Sequence, residues 1–176
     1  MRFPEDTTIT AGEVLVIAVY TTSGFFTTYG FYPDFDTYAS HENSPAMGGT
    51  YGMAYNLNDV DEMIIFYYWD GSSDLVQDID YLGIGIENLT YLDKTGVIID
   101  GPDGDSGATS AYLKDTAVAS QPLVAAPGNG QSLKRTDFNE GTETLTGRNG
   151  MFGHDETSED YNNTFEVADS PTPGTL

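Results

Sequence analysis

An all-β fold is the class this chain predicts, on three observations. Aromatic and turn-forming residues are plentiful, with 12 Tyr, 9 Phe and 20 Gly, whereas long helices would want more Leu, Lys, Glu and Ala. Two strand-like runs, Glu62 to Trp69 and Asp74 to Tyr81, flank an Asp70-Gly71 turn, which is the signature of a hairpin. The remaining apolar segments are short and run into loops rich in Gly, Pro or Asp.

Taken in order, Glu13 to Tyr20 reads as a buried strand, because Val14, Leu15, Val16, Ile17 and Val19 are nearly continuous. Phe25 to Tyr29 reads as a short helical turn stopped by Gly30. Tyr32 to Tyr51 is loop-like, carrying Pro33, Pro45 and Gly48-Gly49. Glu62 to Trp69 is the strongest strand, rich in β-branched and aromatic residues. Asp74 to Tyr81 follows a period of two only in part. Gly96 to Asp100, Ser110 to Lys114, Gln131 to Thr136 and Thr164 to Ala168 are further short strand candidates. Asp137 to Asn163 is polar, holds Gly141, Gly147, Gly150 and Gly153, and reads as a long surface loop. No tandem repeat is present.

Length fits one domain over 1–176 with a sizeable core. No stretch is apolar for long enough to span a bilayer, so membrane insertion is not expected. No apolar run follows Met1-Arg2-Phe3-Pro4 in the way a signal peptide requires; an export signal, if the protein is exported, is expected outside this chain. The charge balance is extreme, 28 acidic against 6 basic residues for a net −22, with no Lys or Arg between Arg2 and Lys94. Such a surface repels phosphate backbones, so direct nucleic-acid binding is not expected. Salt adaptation and a plain acidic surface both account for the charge. The absence of Cys excludes disulfides and thiolate metal sites.

Several segments, in one order, resemble the lamin tail domain. Phe3-Pro4 through Thr7, Ile9 and Ala11-Gly12-Glu13-Val14-Leu15-Val16 matches the family's run into a core strand. Leu57-Asn58-Asp59-Val60-Asp61-Glu62 stands where the family has Leu-x-Asn-x-Asp-Asp/Glu, with Asp59 in place of Asn. Asp70-Gly71, Val76 to Tyr81, Gly130-Gln131-Ser132-Leu133-Lys134-Arg135 and the closing Ser170-Pro171-Thr172-Pro173-Gly174 follow in the family's order. The resemblance implies an immunoglobulin-like β-sandwich with long loops, carried by secreted and surface proteins. The long insert at 82–130 departs from the short members of the family and is similar to longer secreted ones, and the polar loop at 137–163 is read from composition alone. The family's opening Ile-Asn-Glu and Glu-Trp segments have no counterpart before Phe3, so the domain is expected to be N-terminally incomplete and completed by strands from elsewhere.

Asp100, Asp103 and Asp105 alternate with Gly in one loop, which is the ligand type calcium takes. The run lacks the closing Glu of an EF-hand, and an acidic surface turn is the competing reading. His154-Asp155-Glu156, with Glu159 and Asp160, reads as a solvated acidic loop rather than an acid-base cluster, since His41 is the only other His. Tyr20, Tyr29, Tyr32, Tyr38, Tyr51, Tyr55, Tyr67 and Tyr68 read first as core and strand-pair rings.

No nucleophile elbow, zinc-protease or phosphate-loop motif is present. The expectation is therefore a non-catalytic structural or interaction module of an extracellular or cell-surface protein or assembly, with a protein partner or self-assembly and with calcium as the candidate ion. Two other readings stay open. One is an accessory domain of a secreted hydrolase of nuclease or phosphatase type, with its catalytic part outside this chain. The other is a carbohydrate-binding module, which needs several tyrosine rings coplanar and facing solvent.

Overall fold

Secondary structure forms where local capping and strand pairing agree, and the apolar run at 13–20 shows what happens when they do not. The computed structural model describes residues 1–38, 41–48, 57–58, 60–85, 91–101, 104–105, 107–138 and 148–175. These fall into two compact units, Met1–Asn58 with Thr172–Leu176, and Asp59–Pro171.

In the first unit Ile17–Ala18 (β1) pairs in parallel with Phe35–Asp36 (β2). The expected strand over Glu13 to Tyr20 is thus cut to two residues, and Val14 and Ile17 are exposed. The reason is local. Glu13 is committed to a turn, its carboxylate accepting from Thr10 N at 2.7 Å and its amide bonding Thr10 O at 2.9 Å, with Gly12 left-handed at φ 81°. The Val16 amide then donates to the Asp34 carboxylate at 2.7 Å, while its carbonyl accepts from Asp34 N and Phe35 N.

The helix α1, Thr22–Tyr29, stops at Gly30 as expected but starts three residues before Phe25. Thr21 caps its start by accepting from Gly24 N, and left-handed Gly30 (φ 80°) closes it with a bond to Phe26 O at 2.8 Å. Asp36 is buried beside the helix start. Its carboxylate accepts from Thr22 N and Oγ1 at 2.5 and 2.6 Å and from Tyr38 N at 2.6 Å, which offsets the cost of burying it.

The second unit is built on a hairpin. Glu62–Tyr68 (β3) pairs antiparallel with Gln77–Ile84 (β4), from Glu62↔Ile84 to Tyr68↔Gln77, with a bulge past Phe66. The turn is tied by Asp70, whose carboxylate accepts from Ser72 N at 2.9 Å and Ser73 N at 2.7 Å. Ser73 bonds hold its pKa well below the usual carboxylate range.

Three more antiparallel or helical elements follow. Ile98–Ile99 (β5) pairs with Ser110–Ala111 (β6), and Ser132–Arg135 (β7) pairs with Phe165–Ala168 (β8), which leaves the one-turn helix α2, Tyr161–Thr164. The other edge of β4 makes isolated parallel bridges at both ends, Asp78↔Gly150 and Ile84↔Val124. A β-rich class is what these elements make, as four two-stranded sheets among the described residues.

The core gathers Tyr81, Ile84, Val124 and Tyr161, with Met63, Ile65, Leu82, Leu133 and Phe165 against them. The Tyr161 hydroxyl donates to the Tyr81 carbonyl, pinning α2 to β4. Gly83 is required by this core, because a Cβ there would lie 2.1 Å from the buried Tyr91 ring. Gly83→Ala must expel that ring, and a destabilisation of about 2–3 kcal/mol is expected in urea unfolding; wild-type stability would mean that Tyr91 does not sit on Gly83.

Candidate functional site

Fourteen polar or charged side chains are buried among the described residues, against six apolar ones. The chemistry of the second unit therefore lies in how its charges are compensated. Asp78, on β4, is buried against Lys94, whose Nζ lies 2.7 Å from Asp78 Oδ2 and 3.0 Å from Asp115 Oδ2.

Tyr81 brings Lys94 there. Its hydroxyl donates to Gln121 Oε1 at 2.7 Å and accepts from Leu92 N at 3.2 Å, while Gln121 Nε2 donates to Leu92 O at 2.7 Å and Thr116 O at 2.8 Å. The 91–95 segment is thereby fixed against β4. Burial pushes the Tyr81 pKa up to about 12.

Asp115 is held from several sides. Oδ2 accepts from Lys94 N at 2.8 Å, and Oδ1 accepts from Asn149 Nδ2 at 2.5 Å. Asn149 is clamped in turn by Leu113, its Oδ1 accepting from Leu113 N at 2.7 Å and its Nδ2 donating to Leu113 O at 2.8 Å. A third buried carboxylate, Asp155, accepts from Thr157 Oγ1 at 2.5 Å and Thr116 Oγ1 at 3.0 Å. Burial raises the Asp78 pKa, Lys94 pulls it back, and Asp115 and Asp155 push it up again. Desolvation disfavours the Lys94 ammonium, but Asp78 and Asp115 outweigh it and its pKa stands raised. Three carboxylates and one ammonium, all dry, make a strongly coupled cluster.

A second ion group lies on β7. Arg135 donates Nη1 to Glu159 Oε1 at 2.8 Å and Nη2 to Glu159 Oε2 at 3.0 Å, and Nη2 also reaches Asp80 Oδ1 at 2.7 Å. Its guanidinium lies 4.8 Å over the Phe165 ring. Asp155, Glu156 and Glu159 are all buried, which corrects the expectation of a solvated acidic loop over His154 to Asp160. Threonine hydroxyls compensate Asp155 and Arg135 compensates Glu159, which offsets the cost of burying them. Of the expected surface loop at 137–163, Asp137 and Phe138 are exposed, whereas 148–163 is a series of short helical turns with buried side chains.

Beside the Lys94 cluster a groove of about 430 Å³ opens, lined in part by Asp74, Gln77, Tyr112, Arg148 and Asn149. The 100–105 loop starts next to it, where Gly101 N donates to Asp74 Oδ1 at 2.7 Å. Of the calcium candidates, Asp100 and Asp105 are exposed and Asp103 lies outside the described residues. Asp105 Oδ1 accepts from Ala108 N at 3.2 Å. Among the described residues no group of three or more His, Asp or Glu is placed to hold a metal ion, and none of their helices is long and apolar enough to cross a membrane.

No protein-family model, curated protein or solved structure matches the chain. The lamin-tail resemblance therefore stands on its sequence motifs alone. The tyrosines meet the expectation of core and strand-pair rings only in part: Tyr67 and Tyr68 pair with Asp78 and Gln77, but Tyr20, Tyr29, Tyr32, Tyr38, Tyr67 and Tyr68 are all exposed, while Tyr51 and Tyr55 lie outside the described residues. Phe26, Tyr32 and His41 stack on one another, at 4.4 and 5.2 Å between centroids, so those ring faces meet each other. Sequence reading missed the Lys94 and Arg135 clusters. The available signal was scarcity: with so few cations among so many acids, an isolated Lys94 between Leu92 and Val97 has many carboxylates to attract it.

Proposed function

We propose that the chain is a non-catalytic structural or interaction module of an extracellular or cell-surface protein or assembly, built as an immunoglobulin-like, lamin-tail-like β-sandwich. One observation carries the reading. Along β3 and its end, Ile64, Phe66, Tyr67, Tyr68 and Trp69 are each 39–49% exposed. Large apolar side chains gathered on one strand mark an interaction surface more readily than they mark a catalytic one. The net charge of −22 opposes contact between copies at low salt, and calcium at Asp100, Asp103 and Asp105 would ease it.

Sedimentation velocity in screening salt tests this. Wild type is expected to assemble with rising concentration, Tyr67→Ser with Tyr68→Ser to remain monomeric, and chelation to weaken assembly. A wild type that stays monomeric throughout, with or without calcium, would remove self-assembly from the reading. Carbohydrate binding is the second reading, favoured by the exposed Tyr20 and Tyr38, whose rings tilt by only 34°. Retardation on polysaccharide gels, lost in Tyr20→Ala, would decide for it.

A further inference from the structure

The buried Lys94 amine faces two buried carboxyl groups, and the chain has no Cys with which to tie itself covalently. An amine held at 2.7 Å from a carboxyl oxygen is already beside the group it would attack, so the fold has met most of the entropy cost of bringing the two together. We propose that Lys94 and Asp78 condense into an intramolecular amide, with Asp115 moving the proton.

The step balances without a co-reactant. Proton transfer from Lys94 Nζ to Asp78 turns the ion pair into a neutral amine and a neutral carboxylic acid, a step the raised Lys94 pKa opposes and the burial of Asp78 eases. The Nζ lone pair attacks Asp78 Cγ. Asp115 takes the surplus proton from nitrogen and gives it to the departing hydroxyl. The C–N bond forms, the C–O bond breaks, and one water leaves. The sum is ammonium plus carboxylate giving amide plus water, with no oxidation or reduction.

Three features of the surroundings favour this route. Asp115 is fixed facing Nζ at 3.0 Å by its bonds from Lys94 N and Asn149 Nδ2. Burial holds the Asp78 carboxyl toward its protonated form. Tyr112, whose ring lies 5.9 Å from Nζ, and Asn149 also line the groove, which gives the water an exit. The bond would staple β4 to the 91–95 segment, across 16 residues of sequence.

The intact mass of the folded wild-type chain tests the proposal. A mass lower than the sequence mass by ~18 Da, one water, is expected. Trypsin acting on the denatured protein is expected to leave Lys94-Thr95 uncut and to release residues 3–114 as one peptide, light by the same amount. Lys94→Arg and Asp115→Asn are expected to restore the full mass. A folded wild type with full mass, cut after Lys94, overturns the proposal. So does a loss that leaves Lys94 cleavable, which would report cyclisation at Asp70-Gly71 or Asp100-Gly101. A loss of ~17 Da, one ammonia, mapped to Asn149 overturns the assignment of Asp78 as the acyl partner.

Discussion

Lys94→Met is expected to unfold the Asp59–Pro171 unit at neutral pH, and to do so less as the pH falls. Methionine occupies a similar volume, so the change removes a charge more than it opens a cavity. Asp78, Asp115 and Asp155, each at most 3% exposed, then share a dry site with no cation. Removing one partner of a buried pair costs about 3–5 kcal/mol, a large part of the roughly 5–15 kcal/mol that holds a domain folded.

The pH dependence has a definite sign. The Asp78 pKa is raised above 3.8 in the folded state even with Lys94 present, and losing Lys94 raises it further. Stability from such a group is fully present below the unfolded pKa and is lost as the pH rises through the folded one. The variant should therefore recover in mild acid. In wild type that has not condensed to the amide, the contribution of the Lys94 ammonium, whose pKa is raised above 10.5, is instead lost only in alkali, as the pH rises through that higher value; the amide removes this dependence. Urea midpoints at about pH 5 and about pH 8 measure the contrast. Equal midpoints for wild type and Lys94→Met at the higher pH would show that the cluster is hydrated. Lys94→Arg keeps the charge but does not form the amide, so it separates the electrostatic contribution from the covalent one.

The parts of the fold that the sequence made legible are those whose causes are local. Asp70-Gly71 between two β-rich runs announced the β3–β4 hairpin, though β4 starts at Gln77 rather than Asp74 and runs past Tyr81 to Ile84, and Gly30 marked where α1 stops, because turn and cap preferences act within four residues. The run at Glu13 to Tyr20 misled because an apolar stretch states a preference for burial but not a partner. Thr10, Gly12 and Asp34 decided its conformation instead.

Asp155, Glu156 and Glu159 were illegible for the opposite reason. Acidic residues default to the surface unless paired, and the pairing is distant in sequence: Arg135 stands 24 residues from Glu159 and 55 from Asp80. Nothing in a Gly-rich acidic segment announces a guanidinium that arrives from another strand. The tyrosines misled likewise, since a ring's chemistry suits a core and an exposed contact surface equally well.

Arg135→Ala is expected to cost nearly as much as Lys94→Met, through a different element. Glu159 is buried at 3% exposure, and burial raises its pKa while the Thr164 hydroxyl and Arg135 pull it down. Without Arg135 the carboxylate must stay ionised and unpaired or take up a proton. Either outcome falls in the range of about 3–5 kcal/mol for breaking a buried pair. The Asp80 contact adds little, since its side chain is 42% exposed. The Phe165 ring loses its cation as well, and that ring is the register partner of Arg135 in the β7–β8 pairing. Arg135→Lys keeps a charge but not the two-pronged fork, and should recover only part of the loss. A double replacement, Arg135→Met with Glu159→Met, should be less damaging than Arg135→Ala alone, because no buried charge is left behind. Amide exchange should quicken along β7 and β8 in Arg135→Ala, ahead of β3 and β4. If the double variant proves no better than the single one, packing over Phe165 holds the two strands together and the ion pair adds nothing to it.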